Sequence, residues 1–190
     1  MIEYPFQIPF FSGYIEQDDL LELRKDTRYT NSVVQGGGGV FNILNSYPKL
    51  KDKLLKEFTE FSYEIYGDVY GWKIGTSWIT RTAKGDHIHE HHHNNYQWSV
   101  ILYYGAKYYD SVPINFVNPL HELFTYQYKF KAANYLTSNW MVNPTPGLLI
   151  LFPSFIKHRT VRQQSDEIRY SMAFNIMPTK IDSGDSSLDI

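Results

Sequence analysis

Cysteine is absent from all 190 residues. That excludes a disulfide framework and any thiolate metal site, and it fits a reducing, intracellular, cytoplasmic setting. No apolar run approaches the roughly 20 residues of a membrane-spanning helix, so no membrane partner is expected. The apolar stretch at 5–11 follows Glu3, contains two prolines and lacks a basic region before it. It reads as part of an edge strand over 2–12, where proline is tolerated, and not as a signal peptide. Basic clusters are missing too: 18 Lys and Arg stand against 20 Asp and Glu, for a net charge of −2. A nucleic-acid partner is therefore not expected. The four glycines at 36–39 lack the following Gly-Lys-Ser/Thr of a phosphate loop and read as a flexible turn. With no internal repeat and no domain boundary in view, residues 1–178 are expected to form a single domain. The polar stretch 179–190 is expected to be a disordered tail.

Aromatic residues, by contrast, are abundant at 17%, and aromatics favour sheet. Asp18 and Asp19 are expected to cap a short helix through Leu20, Leu21 and Leu23. One longer helix is expected at about 48–66, opened by Ser46 and Pro48, with Leu50, Leu54, Phe58, Phe61 and Ile65 forming one apolar stripe. It should pack on the outside of a sheet. From 72 onward the pattern changes to short strands, expected at 72–82, 97–105, 112–117, 124–131, 147–152, 155–163 and 167–177. The class is mainly β with flanking helices, a sandwich or jelly roll.

The stretch 86–95 reads DHIHEHHHNN and holds five of the seven histidines. It is internal and interrupted, so it is no purification tag. On a strand, His87, His89, His91 and His93 share one face while Ile88, Glu90 and His92 face away. Imidazoles two residues apart on a strand can converge on one metal ion, and the run leads straight into apolar residues 98–104. His89 and Asp86 compete with their neighbours for a place as ligand. A solvated polar loop is the bland alternative.

Two further features stand downstream. His158 follows a buried-looking strand and the turn at Pro153, a placement suited to facing a site. Arg169 enters an apolar strand, and a guanidinium is costly to bury unless it meets an anion. It could hold a carboxylate in bidentate fashion, with the Ser171 hydroxyl on the same face, or it could pair with an acidic residue of the chain.

This combination resembles the Fe(II)/2-oxoglutarate-dependent oxygenases, and most closely a group of small hydroxylases found in bacteria and phages. The residues that carry the likeness are Gly85, His91-His92-His93, the run from Ser99 to Tyr103, Leu149 to Ser154, His158, and Arg169 to Asn175. The similarity covers about 70–178. Val100 stands where glycine is usual and Asn94 where proline is usual, and a long segment separates Asn118 from Pro146. The resemblance implies a double-stranded β-helix, with Fe(II) held by His91, His93 and His158 and a third histidine in place of the more common carboxylate. It also implies 2-oxoglutarate as cosubstrate, bound by Arg169, Ser171 and Tyr103, dioxygen as oxidant, and hydroxylation of a small-molecule or peptidyl substrate. Trp78, Trp98, Tyr103 and Phe152 could line a dry wall or belong to the core.

Two other readings use the same residues. A cupin would bind a metal without 2-oxoglutarate, but it leaves Arg169 and Ser171 unexplained. A binding module with a closed zinc site would need a fourth protein ligand, which His89 could supply.

Overall fold

The computed structural model describes residues 8–31, 41–67, 71–105, 112–120, 137–182 and 187–189. The glycine run at 36–39, the start of the expected first strand and the expected strand at 124–131 lie outside these residues. The described strands in the expected regions are β1 (Phe11–Tyr14), β3 (Trp72–Thr82), β4 (Trp98–Tyr103), β5 (Ile114–Val117), β7 (Leu148–Pro153), β8 (His158–Thr160) and β9 (Arg169–Pro178). Further strands are β2 (Thr30–Asn31), β6 (Asn139–Val142), β10 (Lys180–Asp182) and β11 (Ser187–Asp189). The last two pair antiparallel, so the stretch expected to be a disordered tail contains a small ladder.

The large sheet runs β1-β7-β4-β9-β3-β2 and the small sheet runs β6-β5-β8. Among the described strands β1 lies at an edge of the large sheet. The two sheets make a double-stranded β-helix, a jelly roll. The central strands β4 and β7 are buried along their whole length because both faces of the large sheet are covered. Alternation sorts their side chains. Val100, Leu102, Leu149, Leu151 and Phe174 pack with the helix side, while Ile101, Tyr103, Ile150 and Phe152 face the barrel interior with Ile114 and Phe116 of the small sheet.

The helix α1 spans Pro48–Tyr66 and starts on proline, where a missing N–H costs nothing. Its N-cap is Tyr47 rather than Ser46, which instead ends a 3-10 turn, Ile43–Ser46. Leu50, Leu54 and Phe58 are buried as expected, but the stripe continues through Ser62, and Ile65 is exposed. Strict four-residue spacing drifts around a helix of 3.6 residues per turn, and the sheet contacts follow that drift. The short helix expected after Asp18 and Asp19 is two 3-10 turns, Gln17–Leu20 and Leu23–Lys25, with no side-chain cap. Both still bury their leucines, Leu20 and Leu23.

Phe58 joins the helix to the sheet. Its ring meets Trp72 edge-on at 4.9 Å and Trp98 at 6.1 Å. Phe58→Ala is expected to cost about 3–5 kcal/mol of stability, the usual range for a large aromatic in a packed core, read as a lower urea midpoint with an unchanged slope.

Candidate metal centre

The histidine segment lies between β3 and β4. It is not the regular strand that alternation suggests. It runs antiparallel beside 154–163 as an interrupted ladder. Gln163 N–H donates to Asp86 O at 2.8 Å, Thr160 N–H to Ile88 O at 3.1 Å, and His93 N–H to Ser154 O at 2.9 Å. Ile88 N–H also reaches the Thr160 hydroxyl, so a side chain stands in for part of the ladder. At its centre is a two-way bridge. His91 N–H donates to His158 O at 3.1 Å, and His158 N–H donates to His91 O at 2.9 Å.

That bridge brings the rings of His91 and His158 to 4.3 Å between centroids. His93, two residues on, lies 5.2 Å from each. The ligand nitrogens of His91, His93 and His158 all lie within 4.8 Å of one another. Among the described residues this is the one such group, and it contains no carboxylate.

Each ring is oriented from behind. His91 Nδ1 faces His89 O at 2.8 Å and His158 Nδ1 faces Ile156 O at 3.1 Å. His93 Nδ1 faces Asn175 Oδ1 at 2.6 Å. An acceptor opposite Nδ1 places the proton there and leaves the Nε2 lone pair for a metal ion.

The expected competitors are elsewhere. His89 is exposed, and its contribution to the cluster is the carbonyl behind His91. Asp86 accepts the Ala83 N–H at 2.9 Å and closes a turn. Glu90 faces out, as alternation requires, toward Arg159 at 3.2 Å.

Burial lowers the basicity of two of the three rings. Desolvation, then the neighbouring His91, pushes the His158 pKa down to about 3. Desolvation also lowers that of His93, against the opposing hydrogen bond to Asn175. Phe116 and Phe152 flank His158 and supply the apolar wall.

Arg169 is 1% exposed. Its Nη1 donates to Val112 O at 3.0 Å and its Nη2 to Thr82 Oγ1 at 3.2 Å. Its Nε is buried with no hydrogen-bond partner among the described residues. Among the described residues no carboxylate pairs with it, so the intramolecular salt bridge entertained from sequence does not form there. Burial lowers its pKa, partly opposed by Tyr103, whose ring lies 5.9 Å away. Ser171 stands on the same face of β9 and is in register with Tyr103. Tyr103 itself is fully buried, which raises its pKa.

The aromatic set divides by face. Trp98 packs toward the helix, Tyr103 and Phe152 fill the interior, and Trp78 lies 5.4 Å from the His93 ring. A cleft of about 610 Å³ opens beside His93 between Tyr66, Asn95, Tyr96 and Phe155. Sequence reasoning assigned no part to Thr82, Ser99 or Asn175. The available signal was a polar residue at an inward position of an otherwise apolar strand.

A jelly roll with converging imidazoles at one part of its interior and a buried guanidinium at another is the arrangement of a metal-dependent oxygenase scaffold. The chain belongs to the 2OG-Fe(II) oxygenase family: the family model described as "Putative 2OG-Fe(II) oxygenase" matches residues 76–175. No curated protein matches the chain. Among solved structures, HygX from Streptomyces hygroscopicus with iron bound is 12% identical, with a TM-score of 0.58 over 90% of this chain and 83% of that one. A prolyl-4-hydroxylase from Pseudomonas putida is 13% identical, with a TM-score of 0.55 over 90% of this chain and 93% of the other. An oxidoreductase of the 2OG-Fe(II) oxygenase family from Burkholderia pseudomallei is 16% identical, with a TM-score of 0.52 over 74% of this chain. The present chain spans 60% of that protein's length. Among the described residues, no helix is long and apolar enough to cross a membrane.

The depressed pKa of His158 has a measurable consequence for the metal-free chain. Unfolded, this histidine takes up a proton near pH 6.5, whereas folded it stays neutral down to about 3. Stability should therefore be fully present above pH 6.5 and fall as pH drops through that window, by up to about 1.4 kcal/mol per pH unit from this group. Urea titrations from pH 7.5 to 5 are expected to show the loss, and His158→Phe is expected to flatten it.

Proposed function

We propose that the chain is an Fe(II)- and 2-oxoglutarate-dependent dioxygenase that hydroxylates a small-molecule or peptidyl substrate, with release of succinate and carbon dioxide. The observation that carries this reading is the pairing of two features in one barrel interior. Three imidazoles converge there, and a buried cation has no carboxylate partner among the described residues.

The donor set suits iron. Imidazole is a good Fe(II) ligand, three protein ligands leave open positions on an octahedral ion, and each Nδ1 is already tied back. His91, His93 and His158 would hold the metal. Bound there, Fe(II) would supply the activation of dioxygen that couples oxidative decarboxylation of 2-oxoglutarate to hydroxylation of the substrate.

The chain's own residues do the rest. Three neutral ligands leave the full +2 charge of the ion uncancelled, which favours an anionic 2-oxo acid in the open positions. Arg169 and Ser171 would receive the far carboxylate of 2-oxoglutarate, and Tyr103 would close one side of that pocket. The hydrogen bonds from Arg169 to Val112 O and Thr82 Oγ1 fix the guanidinium before the anion arrives. Phe116 and Phe152 keep water away from the His158 side of the metal. Trp78 beside His93 would form part of the wall facing the substrate.

Anaerobic loading with Fe(II), followed by oxygen and 2-oxoglutarate, is expected to produce succinate even without the true substrate. A chain that binds zinc tightly, makes no succinate and melts at the same temperature with and without 2-oxoglutarate would contradict the proposal. His158→Ala should lose both metal and succinate. Arg169→Ala should keep one equivalent of metal but need roughly 10–100-fold more 2-oxoglutarate for half-maximal succinate. That range corresponds to a lost charge-assisted bond of about 1.5–3 kcal/mol. An unchanged requirement would remove Arg169 from the role.

A further inference from the structure

We infer that Asn175 is the positioning residue that makes His93 a competent metal ligand, by holding its proton on Nδ1 and its ring in place. The inference rests on the metal reading proposed above. It concerns a residue to which that reading gives no part.

The three imidazoles are not held in the same way. His91 and His158 each present Nδ1 to a backbone carbonyl, which can only accept. The tautomer of those two rings is set by the chain itself. His93 alone among the three presents Nδ1 to side chains, Asn175 at 2.6 Å and Ser99 at 3.0 Å. An asparagine can offer either an oxygen or an N–H, so the proton on His93 depends on how that amide is held.

With its oxygen toward the ring, Asn175 satisfies both ends of its amide. Its Nδ2 donates to Thr76 Oγ1 at 3.1 Å. Its Oδ1 accepts from Ser99 Oγ at 2.8 Å as well as from His93. Ser99 has one proton, which goes to Asn175, so the contact at 2.8 Å to Ser154 is donated by the Ser154 hydroxyl. The same Ser154 accepts the backbone N–H of His93 through its carbonyl at 2.9 Å. Turning the amide over would set an N–H against Nδ1, move the ring proton to Nε2 and remove the lone pair that the metal needs.

The arrangement is built across the sheet. Thr76, Ser99 and Asn175 come from β3, β4 and β9, and Ser99 and Asn175 are direct register partners. Both are buried, at 1% and 3% exposure, in strands that are otherwise largely apolar. A buried amide that only satisfied itself would need no histidine. This one has both its oxygen and its nitrogen committed in a chain that ends on a ligand.

The test uses the full chain. In metal-free, 15N-labelled protein, long-range 1H–15N correlation is expected to show His93 protonated at Nδ1. Asn175→Leu is expected to shift that tautomer and to weaken Ni(II) binding by roughly 10–100-fold. Asn175→Asp keeps an acceptor and should remain within a few-fold of the wild type. A purely structural role would lower the melting temperature of the metal-free chain without moving the tautomer. Protonation of His93 at Nε2 in the wild type, or wild-type Ni(II) affinity in Asn175→Leu, would overturn the inference. Should Asn175→Leu fail to fold, the wild-type tautomer and the affinity of Asn175→Asp still decide it. A wild-type chain that takes up no Ni(II) would overturn the metal site itself, whereas unaltered binding in Asn175→Leu would overturn only the part given to Asn175.

Discussion

Two backbone hydrogen bonds between His91 and His158 hold the site together. They join a segment that enters β4 to the start of β8, elements that belong to opposite sheets. A metal site drawn from distant parts of a chain needs a connection stiffer than side-chain packing, and a reciprocal backbone bridge supplies one. Because the bridge fixes both Cα positions, the rings meet without a long loop having to be ordered by the ion. The irregular run from 86 to 93 is the corresponding cost. The backbone gives up regular pairing on either side of the bridge and recovers it from the Thr160 hydroxyl and from Ser154.

Charge organises what surrounds that bridge. The three clustered side chains are imidazoles, Glu90 beside them points outward to Arg159, and the interior cation Arg169 lacks a carboxylate among the described residues. Burying a guanidinium in this way costs several kcal/mol unless an anion comes to it. The fold accepts that cost at the start of β9 and limits it with two oxygen acceptors. Among the described residues, negative charge is thus missing at both ends of the proposed site, a condition that a dicarboxylic 2-oxo acid satisfies with its two ends. The cupin alternative has no use for Arg169, and among the described residues the cluster offers a closed zinc site no fourth ligand, His89 being exposed.

Much of this was legible in the sequence where local rules dominate. Alternation and β-rich composition placed β3, β4, β7 and β9, and periodicity placed α1. His91, His93, His158 and Arg169 stood out because polar residues next to apolar strands are few. Legibility ended where tertiary contacts decide. The histidine segment looks like a strand by alternation, but its partners are partly side chains. Strand β6 was not expected because Trp140 and Met141 are both exposed, which breaks a period of two. Ile65 falls outside the helix stripe because the buried face follows Leu50, Leu54, Phe58 and Ser62 and has drifted away from it by the last turn. Asn175 ends the family-like run from Arg169 without a legible role, since its partners Thr76 and Ser99 come from two other strands.

The central claim is that three imidazoles, and no carboxylate, bind the metal. X-ray absorption of the Fe(II)-loaded chain tests it most directly, because multiple scattering from imidazole rings counts them. Three imidazoles per iron are expected in the wild type, and His93→Ala, like His158→Ala, is expected to lose the iron. Two imidazoles with a protein carboxylate, or a count unchanged in that variant, would contradict it.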